Sequence, residues 1–272
     1  MKHGFNCEEA LQIIQDFLTT YISNAQAKKV IIGLSGGIDS AVVAILCQKT
    51  FGSNKIQCYF LPETVTPKED VDHMHLLVDT FSLPCKEIDI TSLVQQFRTI
   101  VPDSDNKFIL ANIKARIRMV LLYQQANKVH GLVCGTSNKS EILIGYCTKY
   151  GDSGVDIQPL GDVYKTQVYE LAKYLGIPHE IIKKPPTAGL WKGQTDEKQL
   201  GMSYETIDAI LQGLEKKQEF PTIAQQYKIS LRDIERINNM VIISEHKRRA
   251  PLIPKIGIRT PGFDWRIPIQ EG

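Results

Sequence analysis

No apolar run in this 272-residue sequence is long enough to cross a bilayer; residues 41–47 and 119–123 fall far short of the ~20 residues a spanning helix needs. The N-terminus, Met-Lys-His-Gly-Phe-Asn-Cys-Glu-Glu, has no apolar h-region and no cleavage pattern, so no export is indicated. The six cysteines contain no C-x-x-C pair, which argues against a zinc site and a disulfide framework. Cys47, Cys58 and Cys134 lie inside apolar runs and read as small core residues, so the expected compartment is reducing and cytoplasmic. A net charge of only +2 offers no clustered basic excess for nucleic acid or an anionic membrane surface, and neither partner is expected. Repeats, low-complexity tracts and Gly/Ser- or Pro-type linkers are also absent, so residues 1–272 are expected to form one domain. What is present is ordinary globular material, 43% hydrophobic and 23% charged, at a length that can bury a full core.

Short apolar or β-branched runs alternate with helical stripes. Residues 8–23 place Leu11, Ile14, Leu18 and Ile22 on one helical face. Residues 29–35, 55–61, 85–90 and 131–136 predict strands. Helices are expected over 40–51, from Pro67 at the first helical position to about residue 81, and from Lys139. Two more are expected over 108–129, with Ile109, Ile113, Ile117, Val120 and Leu121 on one face, and over 165–175, stopping at Gly176. This alternation implies an α/β fold with a doubly wound parallel sheet and helices on both faces. Ligands of such sheets bind beyond the carboxyl ends of the strands. From residue 185 the pattern changes to short helices over 204–214, 222–227 and 231–250, a helical extension, and residues 251–272 form a tail with no clear period.

The run Gly33-Leu34-Ser35-Gly36-Gly37-Ile38-Asp39-Ser40 is a strand end, a small-residue turn and a helix start. Glycines let a backbone approach phosphate closely, and the free N–H groups of a helix N-terminus attract an anion. The run lacks the Lys-Ser/Thr ending of a Walker A loop and the spacing of a dinucleotide fingerprint. A plain strand–helix turn, with Asp39 favourable at the helix dipole, is the competing reading. The flanking serines, the aspartate and the preceding apolar strand favour phosphate. Residues 136–141 likewise follow a predicted strand, so two separate motifs fall on one edge of the sheet.

Ser-Gly-Gly-Ile-Asp-Ser resembles the pyrophosphate loop of the N-type ATP pyrophosphatases, a superfamily that includes NAD synthetases, the synthetase part of GMP synthase and tRNA-modifying ligases. Four further segments resemble the NAD synthetase family in order. They are Lys114-Ala115-Arg116-Ile117-Arg118-Met119, Gly135-Thr136-Ser137-Asn138-Lys139-Ser140-Glu141, Thr148-Lys149-Tyr150-Gly151-Asp152-Ser153-Gly154 and Glu245-His246-Lys247-Arg248. The resemblance spans about residues 8–250. It implies an adenine-nucleotide α-hydrolase-like sheet, with residues 33–40, Thr136, Lys165 and Thr187 on ATP and with Asp39 and Glu141 on magnesium. It also implies Arg116, Lys149, Asp156, His246 and Lys247 on deamido-NAD.

Several of these residues also have plain structural readings. Asn138-x-x-Glu141 fits a capping box. Arg116, among Lys114 and Arg118, reads as a solvated helix face. Thr187, after Pro185-Pro186, reads as an N-cap or turn residue. Residues 246–249 suit a helix C-terminus, whereas Lys165 in a helix's first turn opposes the dipole and so invites a functional explanation. His73 and His75, two apart on a helix, point to different sides and make a poor chelate. Asp103 and Asp105 read as solvated loop residues.

The activity the resemblance implies is ATP-dependent amidation of deamido-NAD to NAD through an acyl-adenylate, releasing AMP and pyrophosphate, by a homodimer. Ile38 and Asn138-Lys139-Ser140 look closer to the branch that includes glutamine-using synthetase domains. Relatives that use glutamine carry an amidase domain, however, and its absence here leads to ammonia as the expected nitrogen donor. A GMP synthetase subunit and a tRNA-modifying ligase are the alternatives; the near-neutral charge disfavours the second.

Overall fold

The computed structural model describes residues 4–100, 106–187, 189, 191 and 193–261. Its sheet consists of β1 (Lys29–Leu34), β2 (Ile56–Phe60), β3 (Cys85–Glu87) and β4 (Gly131–Cys134), all parallel, in the order β3-β2-β1-β4. The helices preceding the turn at Gly145 are α1 (Cys7–Asn24), α2 (Ile38–Phe51), α3 (Lys68–Phe81), α4 (Thr91–Ile100), α5 (Lys107–Val129) and α6 (Lys139–Ile144). Beyond it come α7 (Lys165–Tyr174), α8 (His179–Lys183), α9 (Asp196–Leu200) and α10 (Tyr204–Glu215). The chain continues through α11 (Phe220–Tyr227), α12 (Leu231–Ile243) and α13 (Glu245–Arg248). None of the described helices is long and apolar enough to cross a membrane.

Period-two alternation on β1 explains the double covering. Val30, Ile32 and Leu34 join a cluster with residues of α1, α2, α3 and α7. Ile31 points the other way, into a cluster with Val94 of α4 and Ile117 of α5. With both faces buried, the strand reads as a continuous apolar run, which is why its sequence signal is strong. Helix α2 is apolar nearly all round because it lies between β1 and the α1–α7 layer. A third cluster joins Ile144 and Tyr164 to Tyr204, Ile207 and Ile210 of α10, Ile223 of α11 and Ile234 of α12.

Several elements depart from expectation. Pro67 has φ −59° and ψ 140°, so it caps α3 from outside and Lys68 is the first helical residue. Helix α2 starts earlier than expected, at Ile38, with Gly37 as its cap. On α5, Ile117 is buried, but Ile109 and Val120 are 48% and 58% exposed. The helix is rotated to turn Ala111, Lys114 and Ala115 inward, Lys114 being held by a 2.8 Å ion pair with Glu63. The expected helix over 231–250 breaks at Ser244, whose hydroxyl donates to Leu143 of α6. Strand β3 ends at Glu87, although Ile88 and Ile90 still donate to Phe60 and Pro62. Helices α4, α8 and α9 are additions; the last two have only five residues each, too few for a periodic signal. His73 is buried and His75 exposed, as opposite sides require, while Asp103 and Asp105 lie outside the described residues.

Candidate active site

Because β1 and β4 are adjacent, the turns at their carboxyl ends open onto one cleft of about 520 Å³. The first turn is closed by its serines. The Ser35 hydroxyl accepts from Gly37 N–H at 3.2 Å, and the Ser40 hydroxyl accepts from Ser35 N–H at 3.1 Å. Gly36 has φ +76°, and a Cβ there would lie 2.3 Å from the backbone oxygen of Asp70 on α3. Only glycine fits that approach. No side chain caps α2, so its first N–H groups face the cleft beside Gly37, Ile38 and Asp39, an arrangement suited to an anion.

The second turn meets the first through charge. Asn138 caps α6 by accepting from Glu141 N–H at 3.1 Å, and the capping box with Glu141 is complete. The same asparagine donates from Nδ2 to Asp39 Oδ1 at 2.9 Å. Lys165, the first residue of α7, reaches across to pair with both Asp39 and Glu141, the latter at 3.4 Å. Its side chain is buried, and its ammonium stands 5.4 Å from the Tyr204 ring centroid. Burial alone would lower the Lys165 pKa, but the Asp39 and Glu141 carboxylates outweigh it and raise it. Burial, with Asp39 and Asp196 nearby, pushes Glu141 up to about 8 against the pull of Lys165. A cation beside Glu141 favours its ionised form and opposes that rise, as Lys165 does.

Asp39 and Glu141 therefore offer hard oxygen donors converging on one positive charge, next to a buried Tyr204 hydroxyl that has no hydrogen-bond partner among the described residues. That set fits magnesium, which takes one or two carboxylates and completes its shell with water and phosphate oxygens. No group of three or more His, Cys, Asp and Glu side chains is placed to hold a metal among the described residues. An ion here would depend on substrate oxygens.

Thr136 and Thr187 line the cleft, as do Gly33, Leu34, Ser35 and Ser40. Lys247 also reaches it, donating to the carbonyls of Gly145 and Cys147 at 2.7 and 2.8 Å. Arg116, Lys149 and His246 gather outside the cleft. The Arg116 guanidinium donates to Lys149 O at 3.2 Å, and Lys149 Nζ to His246 O. Asp156 stands apart, accepting from Val133 N–H at 2.7 Å and from the Tyr123 hydroxyl at 3.0 Å. Sequence patterns did not single out Arg118, which lines the cleft and donates to Leu61 O at 3.0 Å. The buried Asp70–Lys184 pair beneath the 35–37 turn and Asp208 under α7 were missed too. Their partners lie on distant elements, so no local pattern marks them.

The profile of the family described as NAD synthase matches residues 10–251. An NH(3)-dependent NAD(+) synthetase of Methanocaldococcus jannaschii is 44% identical over 259 residues, 94% of this chain and 100% of that one. Among solved structures, an NMN synthetase from Francisella tularensis superposes with a TM-score of 0.83 at 36% identity, covering 93% of this chain and 100% of that one. An NH3-dependent NAD synthetase from Campylobacter jejuni gives 0.79 at 32%, covering 92% and 100%. Fold and relatives define a carbon–nitrogen ligase on an adenine-nucleotide α-hydrolase-like sheet. The chain belongs to the NAD synthase family.

Proposed function

We propose that this protein converts deamido-NAD to NAD in the cytoplasm, using ammonia and cleaving ATP to AMP and pyrophosphate. The observation that carries this reading is the meeting of the two strand-end turns, Asp39 from one and Asn138 and Glu141 from the other, at Lys165. The nicotinic-acid carboxylate attacks the α-phosphorus of ATP, pyrophosphate leaves, and ammonia displaces AMP from the acyl-adenylate. A carboxylate by itself resists an amine because the group to be expelled is an oxide; adenylation supplies a better one.

The N–H groups at the start of α2 and the Lys165 ammonium receive the negative charge of the departing pyrophosphate. Asp39 and Glu141 would hold magnesium, which neutralises charge on phosphate oxygens when bound. Thr136 and Thr187 flank the nucleotide. Holding two substrates in register is the chain's main contribution, so the reaction needs no protein nucleophile.

Arg116, Lys149, Asp156, His246 and Lys247 serve deamido-NAD. Three of them cluster outside the cleft of one chain, and exposed apolar side chains such as Phe108, Ile109 and Val120 lie on the same helix as Arg116. A homodimer that buries this surface and brings the cluster to the substrate accounts for both features.

The likeness to an NMN synthetase favours one second reading, amidation of the mononucleotide form of the same acid. Pyrophosphate release should therefore be measured with deamido-NAD, nicotinic acid mononucleotide, XMP and bulk tRNA, each with ammonium or glutamine. Turnover with deamido-NAD and ammonium is expected. Preference for the mononucleotide moves the assignment to the second reading, and activity only with XMP or tRNA refutes both. Efficient glutamine use by the pure chain would overturn the nitrogen donor.

A further inference from the structure

Lys165 is aimed from behind. Helix α10 presents Tyr204 and Asp208, four residues apart and so on one face, to the start of α7. Asp208 is only 1% exposed, yet it bears a carboxylate. One oxygen accepts from Thr166 N–H at 2.9 Å, and the other accepts from the Ser140 hydroxyl. Ser140 in turn accepts from Lys165 N–H at 2.9 Å. A single carboxylate thus satisfies two donors at the N-terminus of α7, one directly and one through Ser140 of α6.

This geometry answers a specific electrostatic problem. A buried ammonium on the first residue of a helix is repelled by the positive end of the dipole. Asp208 supplies a compensating negative charge within hydrogen-bond reach of that end, and the Tyr204 ring lies 5.4 Å from the lysine head. Neither residue lines the cleft. We propose that Asp208 is a positioning residue for the ATP half-reaction: through Ser140 and the α7 N-terminus it holds the Lys165 ammonium at Asp39 and Glu141. This rests on the reading that Lys165 contacts ATP.

A double-mutant cycle read as the Kd for ATP with magnesium, by calorimetric titration, tests it. Asp208→Asn should weaken ATP about tenfold in the parent protein and less than about twofold in Lys165→Ala. Deamido-NAD binding should move less than about twofold in either background. Equal losses of ATP affinity in both backgrounds, matched losses for both ligands, or no loss at all overturn the proposal. If Asp208→Asn does not fold, Ser140→Ala keeps the carboxylate, cuts its link to Lys165, and should give the same pattern. An ATP Kd left unchanged by Lys165→Ala removes the premise and the proposal together. A cycle that behaves as expected without amidation of deamido-NAD would leave the proposal standing and defeat only the substrate assignment.

Discussion

Asn138 and Asp39 are 99 residues apart in sequence and joined by a 2.9 Å hydrogen bond across the cleft. The asparagine caps its own helix with its oxygen and steers the aspartate with its nitrogen, so one side chain orients both turns. That link makes the carboxylates a preorganised pair and sets the first expectation. Asp39→Asn should keep the fold, with Tm within a few degrees, but lower pyrophosphate release on the order of 100-fold, as for loss of one preorganised charge. Raising magnesium should restore only part of the rate. Normal turnover at low magnesium would remove Asp39 from the metal.

Arg116 and Lys165 should separate the substrates. Arg116→Ala is expected to raise KM for deamido-NAD about tenfold, the scale of a lost charge-assisted hydrogen bond, and to leave KM for ATP nearly unchanged. Lys165→Ala should show the reverse preference. Steady-state kinetics with each substrate varied in turn decides the matter; equal shifts in both KM values for Arg116→Ala would make it structural.

Gly36 and Gly176 form a controlled comparison. Both have positive φ, +76° and +74°, but a Cβ at Gly36 strikes the Asp70 backbone and one at Gly176 meets nothing within 4 Å. Gly176→Ala should cost about 1 kcal/mol, the left-handed strain alone. Gly36→Ala should cost about 2–4 kcal/mol because backbone must also move. Urea midpoints measure both, and equal losses would contradict the close approach drawn at Gly36.

Cys147 lines the cleft without being poised for chemistry. Burial, then the Asp152 charge, pushes its thiol up to about 11. At pH 8 the reactive thiolate is then roughly one part in a thousand, and it grows as pH rises toward the pKa. Iodoacetamide at pH 8 should leave activity intact for hours and label Cys147 faster at pH 10, read by peptide mass spectrometry. Rapid inactivation at pH 8 would show a reactive thiol.

The sheet was legible because β1, β2 and β4 are short apolar runs punctuated by Gly36, Pro67 and Asn138, each a local signal. The two turns were legible because glycine and capping chemistry are local as well. The orientation of α5 was not: its period admits more than one inward face, and the Lys114–Glu63 pair, formed across 51 residues, selects the one with the small side chains. Asn138-x-x-Glu141 marks Asn138 as a cap, which it is, but its second bond spans the fold. Tyr204 and Asp208 carried no local signal, since their partners sit on α6 and α7. The grouping of Arg116, Lys149 and His246 was likewise visible only once the backbone carbonyls linking them were placed.

The apolar cluster built from α10, α11 and α12 is separate from the two that clothe the sheet, although it supplies the residues beneath Lys165. An excursion that opened this layer alone would leave the sheet folded and the lysine unsupported. A ligand that needs the lysine in place must then work against such excursions by mass action. Amide-exchange rates in α10 become a gauge of nucleotide occupancy, read from a helix that does not border the phosphate turn.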